Sequence, residues 1–153
     1  MRKFIISDLH GNGNIYKTVM SYLDNISSKE DITLYINGDL IDRGLDSVNM
    51  LLDVKRRITK GPFKIVYLGG NHELMMYQIF QKRIRGLNTY DDIWFHNGGL
   101  TTDLELHDRL TKEQIFELLE ECPRELLNEK EAFWIDTYSS NIYGLNTMKG
   151  ITK

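Results

Sequence analysis

Cysteine is nearly absent from the sequence, since Cys122 is the only one among 153 residues. A single cysteine excludes an intrachain disulfide, and no partner base for a catalytic thiol is evident near it. We interpret Cys122 as a reduced thiol, and this reading favours a cytoplasmic location.

Long hydrophobic runs and a surplus of positive charge are missing as well. The apolar run that follows Met1-Arg2-Lys3 is too short for a signal peptide, and no run approaches the roughly 20 residues of a membrane span. The 19 Lys and Arg residues face 22 Asp and Glu residues, which gives a net charge of −3. We therefore expect neither a membrane nor a nucleic acid as partner. The one basic cluster, residues 54–60, is interpreted as the exposed end of a helix.

The first 85 residues alternate between strand-like and helix-like patterns. Apolar and β-branched runs predict strands, and apolar residues at three- and four-residue spacing predict helices. The predicted strands are 3–7, 32–37 and 63–69, and the predicted helices are 14–28, 45–58 and 72–84. The predicted buried faces are Ile15, Val19, Tyr22, Leu23 and Ile26 in the first helix, and Val48, Leu51, Leu52 and Ile58 in the second. This order predicts an α/β fold with a mostly parallel sheet, flanking helices and strands buried on both faces.

The second half of the sequence is less regular. Residues 91–102 surround an Asn-Gly-Gly sequence and are predicted to form a loop. Thr111 and Gln114 have the spacing of a capping box, so a helix is predicted over 112–121. Two further strands are predicted at 132–136 and 141–146. The whole chain, 1–153, is expected to form a single domain.

Each of the first three predicted strands is followed by a loop of glycine and polar residues. The loops contain Asp8 and His10, then Asp39, Asp42 and Arg43, and then Asn71, His72 and Glu73. Because the carboxyl ends of parallel strands lie at one edge of a sheet, the three loops are expected to converge there. Asp8 and His10 are expected on the same side of an extended strand end, since alternate residues share a face.

These side chains are suited to holding a metal ion beside a phosphate. Carboxylate, imidazole and amide ligands without a thiolate suit Mn, Fe or Zn better than Ca, and Arg43 offers a planar fork that matches phosphate oxygens. Taken singly, each residue has a plainer reading: a strand-end Asp caps the next helix, Gly-Asp forms a turn, and Arg43 is solvated. The repetition of such loops after three strands favours the metal-binding reading.

Three segments of the sequence resemble the signature blocks of the calcineurin-like metallophosphoesterases. They are DLHGN at 8–12, GDLIDRG at 38–44 and GNHE at 70–73. The long middle block and the later Asn-Gly-Gly resemble the serine/threonine phosphoprotein phosphatases of bacteria and phages, and symmetrical dinucleoside tetraphosphatases are similar too. The resemblance implies the N-terminal half of the family's α/β/β/α sandwich.

The resemblance also implies a role for each matched residue in a two-metal hydrolase. Asp8 and His10 would bind one divalent transition metal, Asp39 would bridge two, and Asn71 would bind the second, with Mn most expected and Fe or Zn as alternatives. Water activated by the two metals would attack phosphorus. His72 would act as general acid oriented by Asp42, and Arg43 would hold phosphate oxygens. Asn12 is expected only to begin a helix, and Glu73 to face the start of its own helix.

The sequence departs from the family pattern in its later histidines. Family members carry two more metal-binding histidines in later blocks, whereas His96 and His107 stand in neither block, and His107 is interpreted as a surface residue. Family members are also longer, so we expect an incomplete domain, either C-terminally truncated or a natural short form that works with an incomplete site. In both cases the second metal is expected to bind weakly. An uncovered sheet edge would then favour self-association into a homo-oligomer.

Three functions follow from these observations. The first is hydrolysis of phosphomonoesters, with a phosphorylated protein or a small phosphoester as substrate and a serine/threonine protein phosphatase as the leading reading. The second is hydrolysis of a symmetrical dinucleoside tetraphosphate. The third is a catalytically inactive remnant that binds a metal or phosphate.

Overall fold

The computed structural model of the protein describes residues 1–89 and 91–120, and the strands predicted at 132–136 and 141–146 lie outside these ranges. The strands are β1 (Arg2–Ile6), β2 (Ile32–Asn37) and β3 (Lys64–Leu68). The α-helices are α1 (Gly13–Ser27), α2 (Ser47–Lys60), α3 (Asn71–Ile84), α4 (Leu100–Arg109) and α5 (Lys112–Glu120). A π-helical turn, Phe95–Gly99, leads into α4. None of the helices in this described part is long and apolar enough to cross a membrane.

The three strands form one parallel sheet in the order β1-β2-β3. Phe4, Leu34 and Ile65 lie side by side across it and belong to the core or its border. Strand–helix alternation therefore produces the predicted parallel α/β architecture, with each strand ending at the same edge of the sheet. The expectation that every strand is buried on both faces is wrong for β1. Ile5 lies on the opposite face of the strand from Phe4 and is 66% exposed.

The buried face of α1 is partly as predicted, since Val19 and Ile26 are partly buried against the core. Leu23 is buried as expected, but Ile15 and Tyr22 are 50% and 52% exposed, and Tyr16 and Met20 are buried instead. The helix is turned so that the Tyr16 hydroxyl donates to Asp53 Oδ2 of α2 at 2.8 Å. This contact joins the two helices that cover the sheet.

The buried face of α2 is partly as predicted. Val48 and Leu51 are buried, whereas Leu52 and Ile58 are 37% and 50% exposed, and Met50 and Val54 take their places in the core. Leu52 turns away from the buried face because it follows directly after Leu51. Ile58 comes seven residues after Leu51 and shares its face, but it lies in the last turn of the helix, which ends at Lys60.

The basic end of α2 is a helix terminus, as predicted. Arg57 donates to both carboxylate oxygens of Asp24 at 2.8 and 2.9 Å and to Asp53 at 2.7 Å. Arg56 also donates to Asp53. Arg56 and Arg57 are therefore both paired with carboxylates of the same protein.

The segment predicted as a loop at 91–102 is largely helical, so that prediction is wrong. A left-handed residue does occur, because Gly98 has φ +97. The chain nevertheless continues as helix on both sides, with Trp94 fully buried before the kink and Leu106 buried after it. Core burial at both ends outweighs the local turn signal of Asn-Gly-Gly.

The predicted capping box at the start of α5 is present. The Thr111 N–H donates to Gln114 Oε1 at 2.9 Å, and the Gln114 N–H donates to Thr111 Oγ1 at 3.3 Å. Ile115 and Leu118 then bury one side of the helix. This reciprocal pairing satisfies two N–H groups that a helix start leaves free.

Replacing Gly98 with alanine should destabilise the protein more than the matched change Gly86→Ala. Both glycines have positive φ, which costs an L-residue about 1–2 kcal/mol. A Cβ at Gly98 would also lie 2.7 Å from Arg43 Cγ, whereas nothing lies within 4 Å of a Cβ at Gly86. The clash should add about 1–3 kcal/mol of destabilisation, measurable by urea denaturation. Equal losses of unfolding free energy for the two variants would contradict this account.

Candidate functional site

The loops after β1 and β2 contain all the left-handed non-glycine residues of the described chain. Within residues 1–89 and 91–120, positive φ occurs at five such positions: Asp8 (54°), His10 (44°), Asp39 (52°), Asp42 (74°) and Arg43 (68°). Each of them was singled out by the sequence as a candidate site residue. Sparsely populated backbone conformations of this kind concentrate at functional sites, where the surrounding structure has to hold them in place.

Asp8 and His10 converge by a different route from the one expected. β1 ends at Ile6, so neither residue belongs to an extended strand, and the alternation argument is wrong. The left-handed backbone at both positions curls the loop instead and brings the two side chains together.

The first and second loops are joined by backbone hydrogen bonds beyond the end of the sheet. The His10 N–H donates to the Asp39 carbonyl at 3.0 Å, and the Gly11 N–H donates to the Leu40 carbonyl at 2.8 Å. The Gly44 N–H returns a bond to the His10 carbonyl at 3.0 Å. These backbone bonds hold His10 and Asp39 side by side without help from a bound ligand.

Glu73 joins the second loop to the third. Its fully buried carboxylate accepts the N–H groups of Gly70 at 2.6 Å, Asp39 at 3.0 Å and Leu40 at 2.8 Å. Burial raises the pKa of Glu73, and the bond from Gly70 opposes that shift. The Gly70 bond confirms the expected contact with the start of α3. The second and third loops lie so close together that a Cβ at Gly70 would be 2.2 Å from Asp39 Oδ1.

Asp8, His10 and Asp39 form a group whose donor atoms lie within 4.8 Å of one another. His10 Nδ1 lies 3.1 Å from the Ile41 carbonyl oxygen. A carbonyl oxygen only accepts, so Nδ1 carries the proton and Nε2 is left with a free lone pair. Histidine ligands to metals are commonly oriented in this way. The donor set and the tautomer both fit a divalent transition metal.

Asn71 extends this group from the start of α3. With the amide oriented to satisfy its hydrogen bonds, Asn71 Nδ2 donates to both carboxylate oxygens of Asp39 at 3.2 and 3.0 Å. Asn71 therefore lies beside Asp39, where its expected role as a ligand requires it.

The Asp42–His72 pair lies beneath these ligands. His72 Nδ1 is 2.7 Å from Asp42 Oδ2, and both side chains are buried. The rings of His72 and His10 lie 4.7 Å apart, centroid to centroid. Burial raises the pKa of Asp42, opposed by hydrogen bonds from Thr102, His72 and Trp94.

Arg43 approaches the same histidine from the solvent side. Its Nη2 lies 3.4 Å from His72 Nε2, and its backbone N–H donates to the Gly98 carbonyl at 3.0 Å. Because a guanidinium can only donate, His72 Nε2 acts as the acceptor and Nδ1 carries the proton toward Asp42. Arg43 itself is exposed, so an incoming phosphate can reach it.

Two residues that the sequence analysis missed also contact Asp42. Trp94 Nε1 donates to Asp42 Oδ2 and the Thr102 hydroxyl donates to Asp42 Oδ1, both at 2.7 Å. Both lie in or next to the segment predicted to be a loop. Nothing in the local pattern pairs Thr102 with a residue 60 positions earlier, so only the tertiary structure reveals the contact.

The remaining residues singled out by the sequence stand apart from the metal ligands. His96 and His107 are both exposed, and His107 Nε2 lies 3.6 Å from Asp103 Oδ1. The surface interpretation of His107 is confirmed. Asn12 begins α1, where its Oδ1 accepts the Ile15 N–H at 3.2 Å, as expected.

The family model of the calcineurin-like phosphoesterases matches residues 1–148 of the chain. The chain therefore belongs to this family, and the predicted fold, the N-terminal half of the family's sandwich, is confirmed by the parallel α/β arrangement. Membership indicates a hydrolase of phosphoesters that uses divalent metal ions. No curated protein matches the chain.

Replacing Asp39 with asparagine should weaken Mn²⁺ binding by at least about tenfold. Asp39 is the carboxylate shared between the first loop's ligands and Asn71, and loss even of an outer-shell partner typically costs 10–100-fold in metal affinity. Calorimetric titration of the purified chain with Mn²⁺ measures the effect. The control is Asp31→Asn, because Asp31 is exposed and precedes β2 at the opposite end of the strand. Equal Mn²⁺ affinity in the two variants would refute the assignment.

Proposed function

We propose that the protein is a metal-dependent phosphomonoesterase, most specifically a serine/threonine protein phosphatase. The observation that carries the proposal is the meeting of Arg43 and the buried Asp42–His72 pair beside the metal-ligand group. A guanidinium for phosphate oxygens, a held imidazole and a cluster of hard ligands are the three parts that phosphoester hydrolysis requires.

Asp8, His10, Asp39 and Asn71 would hold the metal ions in this proposal. Two divalent transition ions, Mn²⁺ first and Fe or Zn as alternatives, suit their oxygen and nitrogen donors. When bound, such ions would stabilise the negative charge of the phosphoryl oxygens and lower the pKa of a bound water molecule.

Arg43 would bind the substrate phosphate through its planar fork of N–H donors. Its backbone is held by the Gly98 carbonyl, and a Cβ at Gly98 would lie 2.7 Å from its Cγ. The backbone of Arg43 is therefore held in place, and its side chain extends toward His72. In this position, the guanidinium would bind the phosphate oxygens that lie nearest to His72.

His72 would supply a proton to the leaving group. Water adds to phosphorus as the bond from phosphorus to the ester oxygen breaks, and the electron pair of that bond stays on the ester oxygen. When Arg43 binds the phosphate instead of His72 Nε2, that nitrogen is free to take up a proton from solvent, and the ester oxygen then takes this proton as it leaves. The proton released by the attacking water passes to solvent, from which His72 Nε2 is protonated again. Asp42 keeps the Nδ1–H bond throughout, so the ring presents Nε2 to the substrate.

A protein-borne phosphate is favoured by the openness of the site. Asp8, Arg43 and Asn71 are exposed, while Asp42 and His72 are buried under them. A phosphoserine or phosphothreonine on a protein surface could reach such a shallow group of ligands. A cytoplasmic location is part of the proposal, because the single cysteine suits a reducing compartment.

The chain with added Mn²⁺ should hydrolyse phenyl phosphate, and His72→Asn should reduce kcat by about 10²–10⁴-fold. The physical reason is loss of the proton donor that faces Arg43. The control is His107→Asn, since His107 is exposed on α4 and stands outside the ligand group. A rate no higher than that of free Mn²⁺ would overturn the proposal in favour of a non-catalytic metal-binding remnant.

The substrate class is tested by direct comparison of two substrates. A phosphoserine peptide should be turned over with a higher kcat/KM than a symmetrical dinucleoside tetraphosphate. The reverse order would identify the dinucleoside polyphosphate hydrolase instead, with the same metal site and the same His72.

A further inference from the structure

Asp42 is enclosed by donors from three separate parts of the chain. Its side chain is fully buried, and Oδ2 accepts both His72 Nδ1–H and Trp94 Nε1–H at 2.7 Å. Oδ1 accepts the Thr102 hydroxyl at the same distance. Only the His72 contact is part of the proton-donating pair, so the two other donors call for a separate explanation.

Thr102 fixes the backbone and the side chain of Asp42 together. Its hydroxyl accepts the Asp42 N–H at 3.0 Å, a bond shared with Ser47 Oγ at the same distance, and donates its own proton to Asp42 Oδ1. A hydroxyl can accept and donate at once, which an aliphatic side chain of the same shape cannot do. Because Asp42 has φ +74, this double contact holds a residue whose backbone is otherwise unfavourable.

The side chain of Trp94 has one polar atom, Nε1, and its N–H is directed at the carboxylate of Asp42. The residue is fully buried, and its indole packs so closely on Gly99 that a Cβ there would lie 2.4 Å from ring atoms. A buried indole N–H needs an acceptor, and Asp42 supplies it. The indole therefore cannot shift without moving the carboxylate that holds His72.

α4 anchors the whole loop that contains Asp42. Besides Thr102, it presents Glu105, whose carboxylate accepts the N–H groups of Ser47 at 3.3 Å and Val48 at 3.2 Å. Spacings of three and four residues place Thr102, Glu105 and Arg109 on one side of the helix, and Arg109 donates to Asn49 at 2.6 Å. One helix face thus lies along the chain from Asp42 into α2.

We propose that Trp94 and Thr102 are positioning residues for phosphoester hydrolysis, acting through Asp42 to keep the Nε2 of His72 directed at the substrate. The inference rests on the proposed function for its catalytic consequence, and it concerns residues that touch neither substrate nor metal ligands directly.

The two residues act by restricting the side-chain orientations of Asp42 and His72. With both oxygens of Asp42 occupied by fixed donors, the carboxylate has one orientation, and His72 Nδ1–H has one partner. Removing the Thr102 hydroxyl leaves the buried Oδ1 without its donor, and removing the Trp94 indole N–H leaves Oδ2 with His72 as its remaining donor. Asp42 would then rotate toward other donors, and the His72 ring would lose its single tautomer and its alignment.

The imidazole ring itself provides a test that needs neither metal nor substrate. In ¹⁵N-labelled metal-free protein, the ring nitrogens of His72, identified by their loss in His72→Asn, should report one Nδ1–H tautomer. Trp94→Phe and Thr102→Val should each produce a mixture of tautomers. Thr102→Ser should restore the single form, because it restores the hydroxyl.

Leaving-group dependence provides the catalytic test. Proton donation matters for a poor leaving group and little for a good one. In Trp94→Phe and Thr102→Val, kcat for phenyl phosphate should fall at least about tenfold, and kcat for 2,4-dinitrophenyl phosphate less than about threefold. KM should stay unchanged, because Arg43 still binds the phosphate.

The matched control is Thr101→Val, whose hydroxyl donates only to the Gly98 carbonyl at 3.0 Å and not to Asp42. It should leave both the ring spectrum and the leaving-group dependence unchanged. Unaltered His72 spectra in both test variants, or equal rate losses for the two substrates, would overturn the inference. Absence of hydrolysis by the wild-type chain would instead refute the proposed function, and the ring spectra would still decide whether Trp94 and Thr102 position His72. If one variant does not fold, the other carries the test.

Discussion

The carboxylate of Glu73 is the interaction on which the site depends, because it accepts backbone N–H groups from two loops in the interior of the protein. Gly70 belongs to the third loop, and Asp39 and Leu40 belong to the second. A buried carboxylate is unfavourable unless its lone pairs are satisfied by donors. The loops satisfy it only when Asp39 lies directly over the start of α3, where the His72 N–H also donates to Asp39 Oδ1 at 3.1 Å. The bonds that satisfy Glu73 in the interior therefore also hold Asp39 next to Asn71 and His72.

The surrounding contacts explain how a small sheet maintains a run of unfavourable backbone conformations. Backbone bonds beyond the strand ends hold His10 against Asp39, and α4 holds Asp42 through Thr102. Each left-handed residue is fixed by a neighbour on a different element. The polar groups are layered accordingly, with Asp42, His72 and Glu73 buried below and the exposed ligands above them. The buried residues fix the positions of the loops, and the ligands above them remain accessible to ions and phosphate.

Much of this arrangement was predictable from sequence, because it depends on local patterns. Strand-like runs ending in Asp, His, Asn and Gly predicted both the parallel sheet and the edge at which Asp8, Asp39 and Asn71 meet. Three features were not predictable for physical reasons. The turn signal of Gly98 was outweighed by burial of Trp94, the face of α1 was set by Tyr16 contacting Asp53, and the contact between Thr102 and Asp42 spans 60 positions with no local signature.

The account is tested most directly by diffraction from crystals of the purified chain grown with Mn²⁺, with anomalous differences measured at the manganese edge. Its central claim is that the three loops are held in position to bind a divalent cation for phosphoester chemistry. The predicted result is an anomalous peak among Asp8, His10 and Asp39, with Asp42 still hydrogen-bonded to His72 below it. A map without a peak at these side chains, from crystals in which the loops are ordered, would contradict the claim.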